Sequence, residues 1–331
     1  MSETGSKNVH VVVGAGQIGP EVARRLVKGG HRVRMVRRSG GGDDVPGVEW
    51  ARGDITDRAF VDGAFANAAV VYNTANPARY DRWDELLPPL LTSIREGAGR
   101  AGARLVQLDN LYMYGRPKNG VLREDTPIEP CSKKGELRAR LARELFAAHE
   151  RGDVEVACGR AGDFFGPGTG RNSTVLGAPF FERLRRGQSA MVFGDPDLPH
   201  AYSYSRDVAE GLVVLGREPA AAGKVWHLPV AWNGTTREIV ARFAEAAGQK
   251  PRLFRLPTWL LRIVGLFMGE AGALAEMIYQ WETPYRLDDS AFRAAFGVSA
   301  TPIDQAVRET LDAMGFAAAP AATGAIASLP R

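Results

Sequence analysis

The chain has 331 residues, 45% hydrophobic and 24% charged, with a formal net charge of +4. Such a chain can bury a full core as one large domain or two intimate ones, and basic residues scattered without a run give no basis for a nucleic-acid partner. Two cysteines, Cys131 and Cys158, without CxxC or Cys/His spacing, leave out a disulfide framework and a zinc site and point to a reduced, cytoplasmic setting.

In chain order, "MSETGSKN" lacks the basic-then-apolar pattern of an export signal, so secretion is not expected. The short apolar runs "VHVVVGA", "HRVRMV", "GVEWARGD", "AAVVYNTA", "ARLVQLDN" and "VEVACGRA" predict six buried parallel strands. Between them "IGPEVARRLVKGG", "FVDGAFA", "WDELLPPLLTSIREGAGRAG" and "GELRARLARELFAAHERG" predict crossover helices. The expected fold is α/β, a doubly wound parallel sheet with a smaller, mostly helical region beside it. Residues 1–168 form the nucleotide-binding unit, rejoined by about 198–230. Residues 169–197 and 231–316 form the substrate-binding region, and 317–331 a flexible tail. The apolar stretch "LPTWLLRIVGLFMGEAGALAEMIYQW" carries Arg262, Glu270 and Glu276, which a membrane span does not tolerate. It predicts an amphipathic or buried helix, and its residues, Phe267 and Met268 among them, predict an apolar wall for a bulky planar ligand.

The strongest local signal is "VHVVVGAGQIGPEVARRL". Gly14, Gly16 and Gly19, with Gln17 and Ile18 between them, follow a strand and open a helix. Glycines permit a tight turn and close approach to a pyrophosphate, and the helix N-terminus offers free N–H groups. At the end of the second strand, where a carboxylate usually marks NAD, stand Arg37 and Arg38. They suit a 2′-phosphate and so NADP(H), or else are solvated strand-end arginines. Asp54, with Ile55, ends the third strand, where its carboxylate can meet an adenine amino group or cap the next helix. The histidines His31, His149, His200 and His227 show no metal spacing and read as structural.

Taken in order, the glycine turn, "GDITD", "YNTAN", "LYMYG", "REDTPIEP", "GRAGDFFGPG" and "YSYSRDVAEGL" resemble an extended short-chain dehydrogenase/reductase of the epimerase/dehydratase type, over nearly the whole chain. One departure is that Val13 occupies the first slot of the usual GxxGxxG. The resemblance implies that Asn73, Thr74 and Ala75 line the cofactor diphosphate and ribose, and that the loop from Ala161 through Gly162 to Asp163 faces the nicotinamide. It also implies that Asp207 is a helix cap and that dimers form through two helices per subunit.

The family's catalytic tyrosine and lysine lie one turn apart on the helix after "REDTPIEP". "YGRPK", Tyr114 to Lys118, has the spacing in the wrong place and is broken by Gly115 and Pro117. In "EPCSKKGELRAR", aligning on the proline puts Cys131 and Gly135 in the two slots, and no alternative restores the pair. The usual serine falls on Asn110. Proton-handling candidates are therefore Asn110, Tyr112, Tyr202, ordered water or a hydroxyl of the substrate itself, while Lys134 can reach the nicotinamide ribose. Tyrosine-less members of the family include ketoreductases of aromatic polyketides. The resemblance thus implies an NADPH-dependent ketoreductase acting on a bulky aromatic ketone in antibiotic biosynthesis. A non-catalytic NADP(H) sensor and a nucleotide-sugar epimerase or dehydratase remain as alternatives.

Overall fold

The computed structural model describes residues 8–39, 45–170, 175–265 and 269–316. Short runs rich in apolar residues build the strands β1 (Val9–Val13), β2 (Arg32–Arg37), β3 (Val48–Arg52), β4 (Ala68–Asn73), β5 (Arg104–Asp109), β6 (Val156–Arg160) and β7 (Val225–His227); all but the outer strand β3, which has no buried residue, contribute to the core. They form one seven-stranded sheet in the order β7-β6-β5-β4-β1-β2-β3, parallel at every pairing. The six strands expected from sequence are all present, and "KVWHLPV" supplies the seventh. Strand order reverses between β1 and β4, which opens a crevice at their C-terminal ends where ligands of such sheets bind.

The crossover helices owe their limits to local chemistry. α1 (Gly19–Lys28) has a proline in its first turn, Glu21 near its positive end and Lys28 near its negative end, and buries Val22, Ala23 and Leu26. α2 (Arg58–Ala64) is capped by Asp57, whose carboxylate accepts from Ala59 N at 2.8 Å. Asp54 caps only its own turn, accepting from Thr56 N and Oγ1 at 2.9 and 2.8 Å. α3 (Trp83–Ala101) ends at Gly102 with φ of 59°, and α4 (Lys133–Glu150) begins at Ser132, whose hydroxyl accepts from Gly135 N.

Beyond β6 the chain leaves the sheet and returns. α5 (Ala178–Arg185) belongs to the second region, α6 (Ser205–Arg217) packs against α1, and β7 then completes the sheet. Two further short parallel pairs form, Asp163–Phe165 with Tyr202–Tyr204 and Ala190–Val192 with Leu253–Arg255. α7 (Thr236–Ala246) starts with a capping box of Thr235 and Glu238. Its Phe243 meets Phe165, Phe180 and Phe181 edge-to-face in a second apolar core.

Two expectations need correction. Asp207 caps no helix. It is buried and accepts from Thr301 N at 2.8 Å and Oγ1 at 2.6 Å, pinning α6 to a distant loop. The long apolar stretch is not one helix: it contains α8 (Thr258–Gly265), α9 (Gly269–Ala275) and a 3₁₀ turn over Ile278–Trp281. Trp259 is 62% exposed, so α8 presents part of its apolar surface to solvent. Phe267, Met268 and the tail 317–331 lie outside the described residues. Among the described residues, no helix is long and apolar enough to cross a membrane.

Candidate active site

The glycine turn sits where β1 hands over to α1. Gly14 has φ of +105°, and a Cβ there would lie 2.9 Å from Ala75 N and from Thr74 Oγ1. A Cβ on Gly19 would lie 1.9 Å from Gly14 O, whereas one on Gly16 would meet nothing within 4 Å. Gly14 and Gly19 therefore serve close packing, while Gly16 borders open space. Ile18, at the N-cap of α1, provides no side-chain cap, so the first-turn N–H groups remain for an anion. This geometry fits a dinucleotide pyrophosphate. Gln17 reaches across to Thr169, Nε2 donating to Oγ1 at 2.8 Å, which ties the turn to the loop after Phe165.

The strand ends around this turn differ in what they leave free. Asn73 is fully buried, its Nδ2 donating to Gln107 and its Oδ1 accepting from Ala75 N, and Thr74 Oγ1 donates to Val13 O. The Asn73 side chain is thus committed within the protein and does not line the groove as expected, while Thr74 and Ala75 are half-buried beside the glycine turn. At the end of β2, Arg37 lies over the Trp50 ring at 5.4 Å. Arg38 is exposed close to Asp54, whose carboxyl is held below the usual carboxylate range chiefly by the Thr56 hydrogen bonds, with a smaller contribution from Arg38. Ile55 packs partly buried against the core below.

A cavity of about 730 Å³ continues from this crevice into the second region. Asn110, Tyr112, Ala161, Gly162 and Asp163 form its sheet side; Tyr80 and Trp83 flank it; Phe164, Phe180, Phe193, Leu261, Leu274, Met277, Trp281 and Tyr285 give it an apolar and aromatic lining. Of the candidate acids, Tyr112 belongs to this wall. Its hydroxyl accepts from Tyr80 Oη at 3.3 Å, leaving its own proton for another acceptor. Burial, reinforced by Asp163, pushes the phenol up to about 12, so it is a protonated donor at neutral pH. Asn110 accepts from Tyr112 N through Oδ1, and its amide hydrogens are left for a ligand.

Tyr202 does not reach the cavity. It is fully buried and bonded to Thr236 Oγ1 at 2.8 Å in the second core, and the expectation that it handles protons is corrected on that ground. Lys134 is likewise committed elsewhere: its ammonium is 2.8 Å from Glu276 Oε1 and 4.6 Å from the centre of the Tyr80 ring, instead of standing ready for a ribose. The first turn of α4 lies so close to the Tyr112–Tyr114 turn that a Cβ on Gly135 would be 2.6 Å from Tyr112 O. A lysine in that slot has no room, and Cys131, in the tyrosine slot, is exposed beside a separate surface cavity.

The "YGRPK" pair is separated as well. Lys118 pairs with Glu129, while Tyr114 is buried with its hydroxyl 2.8 Å from His227 Nε2. Nδ1 of His227 donates to Asp288 O at 3.0 Å, and burial, helped by Arg160, holds its pKa down at about 3, so the ring is neutral at pH 7. As pH falls from 6.5 towards 3, the unfolded chain takes up a proton there that the folded chain refuses, so this group costs nothing above pH 6.5 and progressively more below it. Urea unfolding at pH 7.5 and 5.0 is expected to show a loss of about 2 kcal/mol from His227 alone, at about 1.36 kcal/mol per pH unit. An unchanged midpoint at pH 5.0 would refute it.

The sequence reading placed Asp163 by the ligand but missed its partner and another cavity residue. Asp163 and His200, 37 positions apart, meet with His200 Nε2 2.5 Å from Asp163 Oδ2. Arg183 also lines the cavity, held by Ser189 O at 2.7 Å. No spacing rule joins these positions; only the motif "GRAGDFFGPG" hinted at the first. Among the described residues no cluster of metal-ligating side chains occurs.

The sequence pattern of the NAD dependent epimerase/dehydratase family matches residues 10–228. The chain belongs to that family. Among its relatives, the low-salt glycan biosynthesis protein Agl12 of Haloferax volcanii is 25% identical over 62% of this chain and 68% of its own length. The UDP-glucuronic acid decarboxylase 1 of Xenopus tropicalis is 25% identical over 65% of this chain, which spans only 55% of that protein. In three dimensions the family fold is evident: the dTDP-glucose 4,6-dehydratase of Bacillus anthracis, solved in complex with NAD, superimposes with a TM-score of 0.75 at 16% identity, covering 93% of this chain and 96% of the other.

Proposed function

We propose that this family member is an NADPH-dependent ketoreductase of a bulky, flat aromatic ketone, of the angucyclinone-like polyketide kind met in antibiotic biosynthesis. The observation that carries the proposal is the cavity lining. It is dominated by aromatic and aliphatic side chains, and among the described residues Arg183 is its lone lysine or arginine, a poor match to a nucleotide-sugar diphosphate. The glycine turn and the open N-terminus of α1 would hold the dinucleotide, with Arg37 and Arg38 on its 2′-phosphate. When bound, that cofactor supplies the hydride.

The chain's own residues then orient the ketone and stabilise the charge developing on its oxygen. Tyr112 and Asn110 are the available donors, and the tyrosine–lysine pair that would ordinarily deliver the proton has no counterpart at its slots. A phenolic hydroxyl beside the ketone, hydrogen-bonded to it within the ligand, would supply that proton at close range. Membership of the family and the names of the relatives favour a second reading, nucleotide-sugar epimerisation or dehydration. NADPH oxidation measured with a polycyclic hydroxy-ketone and, separately, product analysis with UDP-glucose and dTDP-glucose decide between them. Turnover of the aromatic ketone alone is expected. Conversion of a nucleotide sugar without ketone reduction would overturn it, and tight cofactor binding with no turnover of either would make the chain a sensor.

A further inference from the structure

We infer that Asp163, held in place by His200, is a recognition point for a hydroxyl group of the ligand, carried on a flat aromatic skeleton. Asp163 heads the strand Asp163–Phe165 and His200 precedes the strand Tyr202–Tyr204; these strands pair in parallel, so the two side chains are presented at fixed neighbouring positions. His200 cannot turn. Its ring is stacked on Trp281 at 4.7 Å and 13° and on Tyr285 at 5.9 Å and 20°, and it is 2% exposed.

Hydrogen-bond roles then follow from what each partner can do. Nδ1 of His200 lies 3.1 Å from the Gln280 carbonyl, which only accepts, so Nδ1 carries a hydrogen. The 2.5 Å contact between Nε2 and Asp163 Oδ2 therefore holds one proton between imidazole and carboxyl. Whether that proton rests on nitrogen or on oxygen, Oδ1 is an acceptor with no hydrogen to give. Among the described residues Oδ1 has no hydrogen-bond partner, and the Asp163 side chain keeps 14% of its surface in the cavity wall.

Covering a lone acceptor with apolar ligand surface forfeits its hydration; a ligand that brings an O–H recovers it. The cavity thus selects for a hydroxyl opposite Asp163, and the surrounding Trp281, Tyr285 and Phe164 favour one on an aromatic ring. This hydroxyl is distinct from the one beside the ketone. The inference rests on the proposed function only for the aromatic class of ligand.

The test is binding, read by tryptophan fluorescence without turnover, of a dihydroxyanthraquinone and its dimethoxy ether. The dihydroxy compound is expected to bind about tenfold or more tightly, as a hydrogen bond to a charged or polarised acceptor allows. Asp163→Ala should erase the difference while leaving ether affinity within about twofold, and Asp163→Asn, whose carbonyl still accepts, should restore part of it. Equal binding of both compounds to the unmodified chain would overturn the inference, as would failure of either to bind. Loss of ether binding in Asp163→Ala would also overturn it, since the residue would then be structural. UDP-glucose displacing the quinone from the unmodified chain but not from Asp163→Ala would assign the hydroxyl to a sugar and overturn the aromatic class. Persistence of the hydroxyl preference without any NADPH oxidation would sink the ketoreductase proposal alone.

Discussion

Replacing Arg37 and Arg38 together with alanine is expected to weaken NADPH binding roughly a hundredfold and to change NADH binding little. The 2′-phosphate is the one group that distinguishes the two cofactors, and charge-assisted hydrogen bonds to it are worth about 1.5–3 kcal/mol each. Arg38 is exposed, so solvent screening holds the pair near the lower bound, about 3 kcal/mol in all, or two decades of affinity. Arg37, braced over Trp50, loses less freedom on binding and should carry the larger share in the single variants. Titration calorimetry of both cofactors checks this. Equal affinity of the unmodified chain for NADH and NADPH would refute the phosphate clamp.

A larger effect is expected from the ligand than from any one side chain. If the ligand's own hydroxyl donates the proton, methylating that oxygen should slow reduction by about a hundredfold or more, the scale on which positioned acids act. The comparison requires the methylated compound to bind with similar affinity. Tyr112→Phe and Asn110→Ala should each slow turnover by only about tenfold, because each removes one donor to the developing oxyanion while the proton source stays. Single-turnover rates of hydride transfer separate this from effects on ligand affinity. Near-complete loss in Tyr112→Phe, with binding retained, would show instead that a displaced tyrosine performs the acid step. Its elevated pKa is compatible with such a role, since a phenol held at about 12 stays protonated until the oxyanion forms.

Much of the fold was legible in the sequence because strand burial is a local signal. The runs at Val9–Val13, Ala68–Asn73 and Val156–Arg160 are nearly continuous apolar segments, as strands covered on both faces must be. The glycine turn was legible too, because its spacing lies within one strand–helix unit, although the approach that demands Gly14 comes from Thr74 and Ala75 beyond β4. The proline in "YGRPK" was enough to dismiss that pair, whose members hold different partners, Tyr114 on His227 and Lys118 on Glu129.

Which polar side chains face the ligand was a different matter. Tyr112 and Tyr202 look alike in sequence, yet the first lines the cavity and the second is sealed against Thr236, because the strand Tyr202–Tyr204 is bridged to Trp232 and pairs with Asp163–Phe165. Lys134 was placed one residue from the family's lysine slot, and only the packing of α4 on the Tyr112–Tyr114 turn sends its ammonium to Glu276. The Asp163–His200 pair arises when two segments 37 residues apart become neighbouring strands, with the ring orientation set by Trp281 from a third segment. By itself, the sequence determined the strands of the sheet and the glycine turn, because their signals lie in runs of a few neighbouring residues. Tertiary structure alone decided which hydroxyls, carboxylates and ammonium groups line the cavity, because that depends on the mutual placement of elements far apart in the chain.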